Sequence, residues 1–70
     1  MDWPSLSAAW REHEGRIRER WAALTDEEFD TIDGDRGRLL NMIEERYGVS
    51  RGEAEQDVDD FVAGLDRPAG

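Results

Sequence analysis

The chain contains no cysteine and no lysine, only two prolines, and no long apolar run. Without cysteine it has no disulfide framework, no cysteine-ligated zinc site and no iron–sulfur cluster. Without a run of about 20 apolar residues it offers no bilayer-crossing helix. The start, Met1-Asp2-Trp3-Pro4-Ser5, lacks the basic region of a secretory signal, so a soluble cytoplasmic protein is expected. Strand signals are absent too: there is no period-two alternation, β-branched residues are few, and no Asn-Gly or Asp-Gly turn lies between apolar strands. With 70 residues, a chain buries only roughly 60% of the surface its unfolded form exposes. One domain with one small core is the most it can build, and a cleft walled by separate subdomains is excluded.

The charges present are of unequal sign. Eighteen aspartates and glutamates stand against nine arginines, for a net charge of −9. Such a surface repels phosphate backbones and anionic lipid heads, so neither nucleic acid nor membrane is expected as a partner. The excess is uneven. Up to Leu24, Asp2, Glu12, Glu14 and Glu19 balance Arg11, Arg16, Arg18 and Arg20, so the net acid lies after Leu24.

The apolar residues recur at helical spacing. Trp3, Leu6, Trp10, Ile17, Trp21 and Leu24 lie three, four or seven apart, with His13 in the gap, which predicts one long helix over 4–23. Pro4 suits its first turn, where a missing N–H costs nothing. Thr25 followed by Glu28 is a capping box, and Leu24 against Phe29 a hydrophobic staple, so a second helix is expected over 26–32. Asp33-Gly34-Asp35 breaks it. A third helix over 35–47 carries Leu39, Leu40, Ile43 and Tyr47 on one face and stops at Gly48. Ser50 with Glu53 reads as another capping box, opening a fourth helix over 51–65 with Ala54, Val58, Phe61, Val62 and Leu65 inward. Short links make sequential helices neighbours. The expected architecture is all-α: a single domain over 1–66 with a frayed tail at 67–70. Its core is expected to rest on Trp10, Trp21, Phe29, Leu39, Ile43, Tyr47, Val58 and Phe61.

Several of these segments match a known pattern. Trp10 with Gly15, then Trp21-Ala22-Ala23-Leu24-Thr25-Asp26-Glu27-Glu28, resembles the W-G-K-L-T-D-D-D centre of the CsbD-like family of small bacterial stress proteins. Gly34-Asp35-Arg36-Gly37-Arg38-Leu39 is similar to its G-K-R-x-x-L. Ile43-Glu44-Glu45-Arg46-Tyr47-Gly48 is similar to I-Q-E-R-Y-G, and Ala54 through Phe61 to A-E-x-x-V-x-x-F. The match runs in order along nearly the whole chain. It implies a compact four-helix domain of two packed helical hairpins, produced in general stress such as osmotic shock or stationary phase, and it carries over no catalytic residue. The chain departs from the pattern where arginine and acid replace the lysines of the first helix, and where Ala22 and Asn41 replace glycines. Those changes leave the core positions untouched.

Candidate sites are few. His13 falls beside the apolar face, and Glu12 and Glu14 point elsewhere on the helix, so it reads as a boundary residue and not a general base. Asp33, Asp35 and Glu44 fall at positions 1, 3 and 12 of a calcium loop, but Arg38 stands where the loop needs glycine. They read as caps. Asp57, Asp59 and Asp60 fan around the last helix and read as solubilising charge. No catalytic residue, cofactor or metal is expected. The candidate partner-binding residues are Trp3, at the chain's start, with Arg11 and Arg18 on the first helix; the partner is a protein of unknown identity. The expected oligomeric state is a monomer or a weak homodimer.

Overall fold

The structure, a computed structural model, describes residues 2–65, and every regular element in it is helical. α1 spans Trp3–Ala8, a single 3₁₀ turn spans Trp10–His13, and α2 spans Glu14–Arg20. α3 follows at Asp26–Ile32, α4 at Arg36–Tyr47 and α5 at Arg51–Gly64. The expected tail at 67–70 lies outside the described residues.

The caps form where the sequence places them. Thr25 Oγ1 accepts from the Glu28 N–H at 3.1 Å while the Glu28 carboxylate accepts from the Thr25 N–H at 3.1 Å, closing the capping box of α3. Asp33 ends α3 in the left-handed region at φ 43°, and Asp35 starts α4 by accepting from the Arg38 N–H at 3.0 Å. Asp33 ends α3 as expected, while the cap of α4 falls to Asp35, one residue into the range expected to be helical. Gly48 ends α4 at φ 64°. At α5 only half of the expected box forms: Ser50 Oγ accepts from the Glu53 N–H at 3.2 Å, with no return bond among the described residues.

The first helix departs from expectation. In place of one continuous helix over 4–23, the backbone leaves helical geometry at Ala9 (φ −112°, ψ 31°) and tightens to 3₁₀ before resuming at Glu14. The cause is tertiary. Ser7 Oγ donates to the Gly34 carbonyl at 2.9 Å, fixing α1 to the α3–α4 turn. Trp10 Nε1 donates to the Phe29 carbonyl at 3.1 Å, and its ring stacks on Phe29 at 4.9 Å and 12°. Trp21, by contrast, packs on Phe61 of α5 at 5.0 Å. The two tryptophans thus enter different parts of the bundle. A 3₁₀ turn advances about 20° more per residue than an α-helix, which re-aims the later half of the segment. The Ala9 carbonyl takes up the slack by accepting from the Glu12 and His13 backbone N–H groups.

α4 packs against both α3 and α5, and the N-terminal segment lies across them. The core is wholly apolar: Leu6, Trp10, Ile17, Trp21, Leu24, Phe29, Ile32, Leu39, Leu40, Ile43, Ala54, Val58 and Val62 are buried, and no described polar residue joins them. Two expected core members fall outside it. Tyr47 is 44% exposed, because its hydroxyl reaches back to accept from the Ala23 N–H at 3.2 Å. Phe61 is only partly buried, covering Trp21 from the surface side.

Candidate functional site

Arginines tie the helices together from outside. Arg11 pairs with Asp30 of α3 at 3.2 Å, Arg20 with Asp57 of α5 at 3.3 Å, and Arg36 of α4 with Asp59 of α5 at 2.8 Å. Arg18 pairs with Glu14 at 3.3 Å, the expected one-turn partner, and also with Asp26. Arg46 of α4 pairs with Glu28, and Arg51 with Glu44 at 3.1 Å. Asp57 and Asp59 are therefore cross-helix partners as well as solvated charge. In a domain this small, nearly every helix face adjoins another helix, and a charge spaced for its own helix finds a partner on the next.

The three candidate partner-binding residues do not converge. Trp3 is partly buried, its ring 5.9 Å from Trp10 and capped by the Arg36 guanidinium at 5.7 Å. Arg11 lies against α3 and Arg18 against the start of α3, both engaged by acids. His13 is half-buried, and its Nδ1 donates to the Ala9 carbonyl at 3.0 Å; since a carbonyl only accepts, Nδ1 carries the proton. That bond commits the ring to the backbone. Among the described residues no three histidines or carboxylates gather as a metal site would need.

Folding lowers the pKa of Asp2 and Glu28 and raises that of Arg46, and the Glu28–Arg46 pair is the one that joins two helices. The Glu28 carboxylate is held below its ordinary pKa, first by the hydrogen bond from Arg46 and then by that from the Thr25 backbone. Its side chain is 12% exposed. It is a structural acid, closing the cap of α3 and joining α3 to α4.

One concave surface that sequence reasoning missed lies between α2 and α5. It is a groove of about 600 Å³ lined by Arg16, Glu19, Arg20, Asp60, Phe61, Gly64 and Leu65. Phe61 and Leu65 form an apolar floor continuous with the core. Arg20 is occupied by Asp57, and its guanidinium lies 5.3 Å from the Trp21 ring. Among the described residues Arg16 alone of the arginines makes neither an ion pair nor a hydrogen bond. A signal existed: five apolar positions on α5 make a stripe wider than a small core covers, and Arg16 and Arg20 stand one turn apart.

Similar proteins match most of this chain. A UPF0337 protein of Rhodopseudomonas palustris is 37% identical over 65 residues, covering 93% of this chain and 98% of that protein. The chain belongs to the UPF0337 family, the CsbD-like proteins. A UPF0337 protein of Pseudomonas aeruginosa is 41% identical over 56 residues, 80% of this chain and 86% of the relative. The UPF0337 protein YjbJ of Escherichia coli is 38% identical over 52 residues, 74% of this chain and 75% of the relative. No family model matches the chain, and no solved structure does. UPF0337 membership confirms the family resemblance read from the sequence, and it assigns no activity. No helix among the described residues of this UPF0337 chain is long and apolar enough to cross a membrane.

Proposed function

We propose that the chain is a non-enzymatic cytoplasmic protein of the general stress response that acts by contact through its acidic exterior. One observation carries this reading: among the described residues the core is entirely apolar, so every described acid stands at or near the surface, where a partner meets it, on a chain of net charge −9. His13, bonded to the Ala9 carbonyl, is better placed to fix the 3₁₀ turn than to move a proton. The test is a deletion strain of the source organism. Protein level is expected to rise on osmotic shock or entry into stationary phase, and survival to fall in its absence. Wild type and His13→Ala are expected to restore survival equally, while a variant with exposed acids changed to amides is not. An unchanged level under stress would defeat the reading, as would a turnover abolished by His13→Ala or Asp35→Asn.

A second reading is a protein-interaction module or weak homodimer using Trp3 and the first helix. The partial exposure of Trp3 beside Arg36 favours it. Light scattering across concentration, with Trp3→Ala alongside, tests it; a strict monomer with unchanged tryptophan fluorescence counts against it.

A further inference from the structure

We infer that the α2–α5 groove docks a basic amphipathic helix from a partner protein. This deepens the reading that the chain acts by surface contact and rests on it. The groove joins two features a helix-in-groove contact uses: an apolar floor and a charged rim. Phe61 and Leu65 supply the floor, partly buried against the core and still lining open space. About 600 Å³ admits a few large apolar side chains from one face of a helix, and not a folded domain.

The rim selects the sign of the partner. Glu19 and Asp60 line the groove, and Arg20 is already neutralised by Asp57 at 3.3 Å. With Asp57 included, the rim carries one more acid than arginine, on a chain of net charge −9. That field draws a lysine- or arginine-bearing segment and repels an acidic one. A second copy of the chain brings the same excess of acid and is disfavoured for the same reason. Arg16, without a partner among the described residues, faces the groove as a free donor. The unpaired carbonyls in the last turn of a docked helix suit it, which orients that helix with its C-terminal end at Arg16.

Trp21 provides the readout. Its ring packs against Phe61 at 5.0 Å, and its Nε1 is buried with no hydrogen-bond partner among the described residues, so its indole N–H resonance reports movement of the floor. Trp10, bonded to Phe29 on the other side of the N-terminal segment, serves as the internal reference. The experiment titrates the full chain, ¹⁵N-labelled, with a leucine–lysine amphipathic helical peptide and with a scrambled peptide of the same composition. The expected result is saturable binding of the amphipathic peptide that moves Trp21 and leaves Trp10 in place, with the scrambled peptide about tenfold weaker. Phe61→Ala is expected to weaken binding about tenfold. Glu19→Gln with Asp60→Asn is expected to weaken it about fivefold, while Glu27→Gln with Glu45→Gln, equal in charge and outside the groove, changes it less than about twofold. The charge variants leave the core intact and keep the test open if Phe61→Ala unfolds the chain. Equal binding of both peptides, or equal loss in both charge pairs, would overturn the groove assignment while leaving action through the acidic surface standing. No binding by either peptide would also overturn it, and the deletion strain would then decide the broader reading alone. Self-association without peptide, abolished by Phe61→Ala, would give the groove to a second copy and likewise overturn the inference.

Discussion

Trp10 and Trp21 are buried to nearly the same degree, at 3% and 1% exposure, yet their indole nitrogens stand in opposite situations. Trp10 Nε1 donates to the Phe29 carbonyl at 3.1 Å, whereas Trp21 Nε1 has no partner among the described residues. Replacing either with phenylalanine removes similar ring area and leaves a similar cavity, so those terms largely cancel between the two variants. What differs is the polar atom. Trp10→Phe loses a buried hydrogen bond with a net contribution of about 0.5–1.5 kcal/mol. The Phe29 carbonyl left behind still accepts from the Asp33 N–H at 3.2 Å, so no orphan is created. Trp21→Phe instead deletes an unsatisfied donor whose desolvation costs about 1–3 kcal/mol. Trp10→Phe is therefore expected to be the more destabilising by about 2–4 kcal/mol, a gap of at least about 8 °C in Tm for a domain of this size. Urea and thermal unfolding followed by far-ultraviolet circular dichroism measure it, since each variant loses a fluorophore. A Trp21→Phe chain as unstable as Trp10→Phe, or more so, would refute the reasoning.

Three further outcomes are expected. Gly34 sits at φ +83°, and a Cβ there would come within 2.6 Å of Ser7 Oγ and 3.0 Å of the Ser7 carbonyl oxygen; Gly34→Ala should cost about 2–3 kcal/mol by thermal unfolding, through strain and loss of the Ser7 anchor. Gly15 lies within α2 with nothing within 4 Å of an added Cβ, so Gly15→Ala should stabilise the chain by about 0.5–1 kcal/mol in the same assay. Because the Glu28 pKa is depressed on folding, its contribution is fully present above the unfolded carboxylate pKa and is lost as pH falls through the lower folded value. Tm should accordingly drop below about pH 4, and Glu28→Gln should be less stable at neutral pH with a shallower acid limb; equal acid limbs in the two proteins would remove Glu28 from the account.

The helix ends were the most legible part of the sequence, because capping is local chemistry. Thr25, Gly48 and Ser50 each satisfy or release backbone groups within a few residues, and the start of α3, the end of α4 and the start of α5 fall where those residues predict. The first helix was not legible in the same way. Its three-and-four spacing counts turns but carries no information on which neighbour each tryptophan meets. Trp10 meets Phe29 and Trp21 meets Phe61, and the break at Ala9 follows from serving both. Ile32 went unnoticed for a related reason: a seven-residue helix gives too few turns to establish a stripe.

Tyr47 and Phe61 show why the surface was harder to read than the core. Periodicity puts both on inward faces, and side-chain chemistry then separates them. Tyr47 has a hydroxyl that finds the Ala23 N–H only from the surface, so its ring stays out. Phe61 has no polar atom to pull it outward, and it stops half-buried because Trp21 already fills the space beneath it. An aromatic ring held at the boundary by a filled core is the feature that makes the α2–α5 groove apolar. Its charge environment was equally hidden: arginines at one-turn spacing look alike in sequence, and only the fold gives Arg20 an aspartate on α5 while leaving Arg16 without a partner among the described residues. The α2–α5 groove therefore arises from what the bundle leaves over, a half-covered ring and a cation without a partner among the described residues beside surplus acid, and not from any motif along the chain.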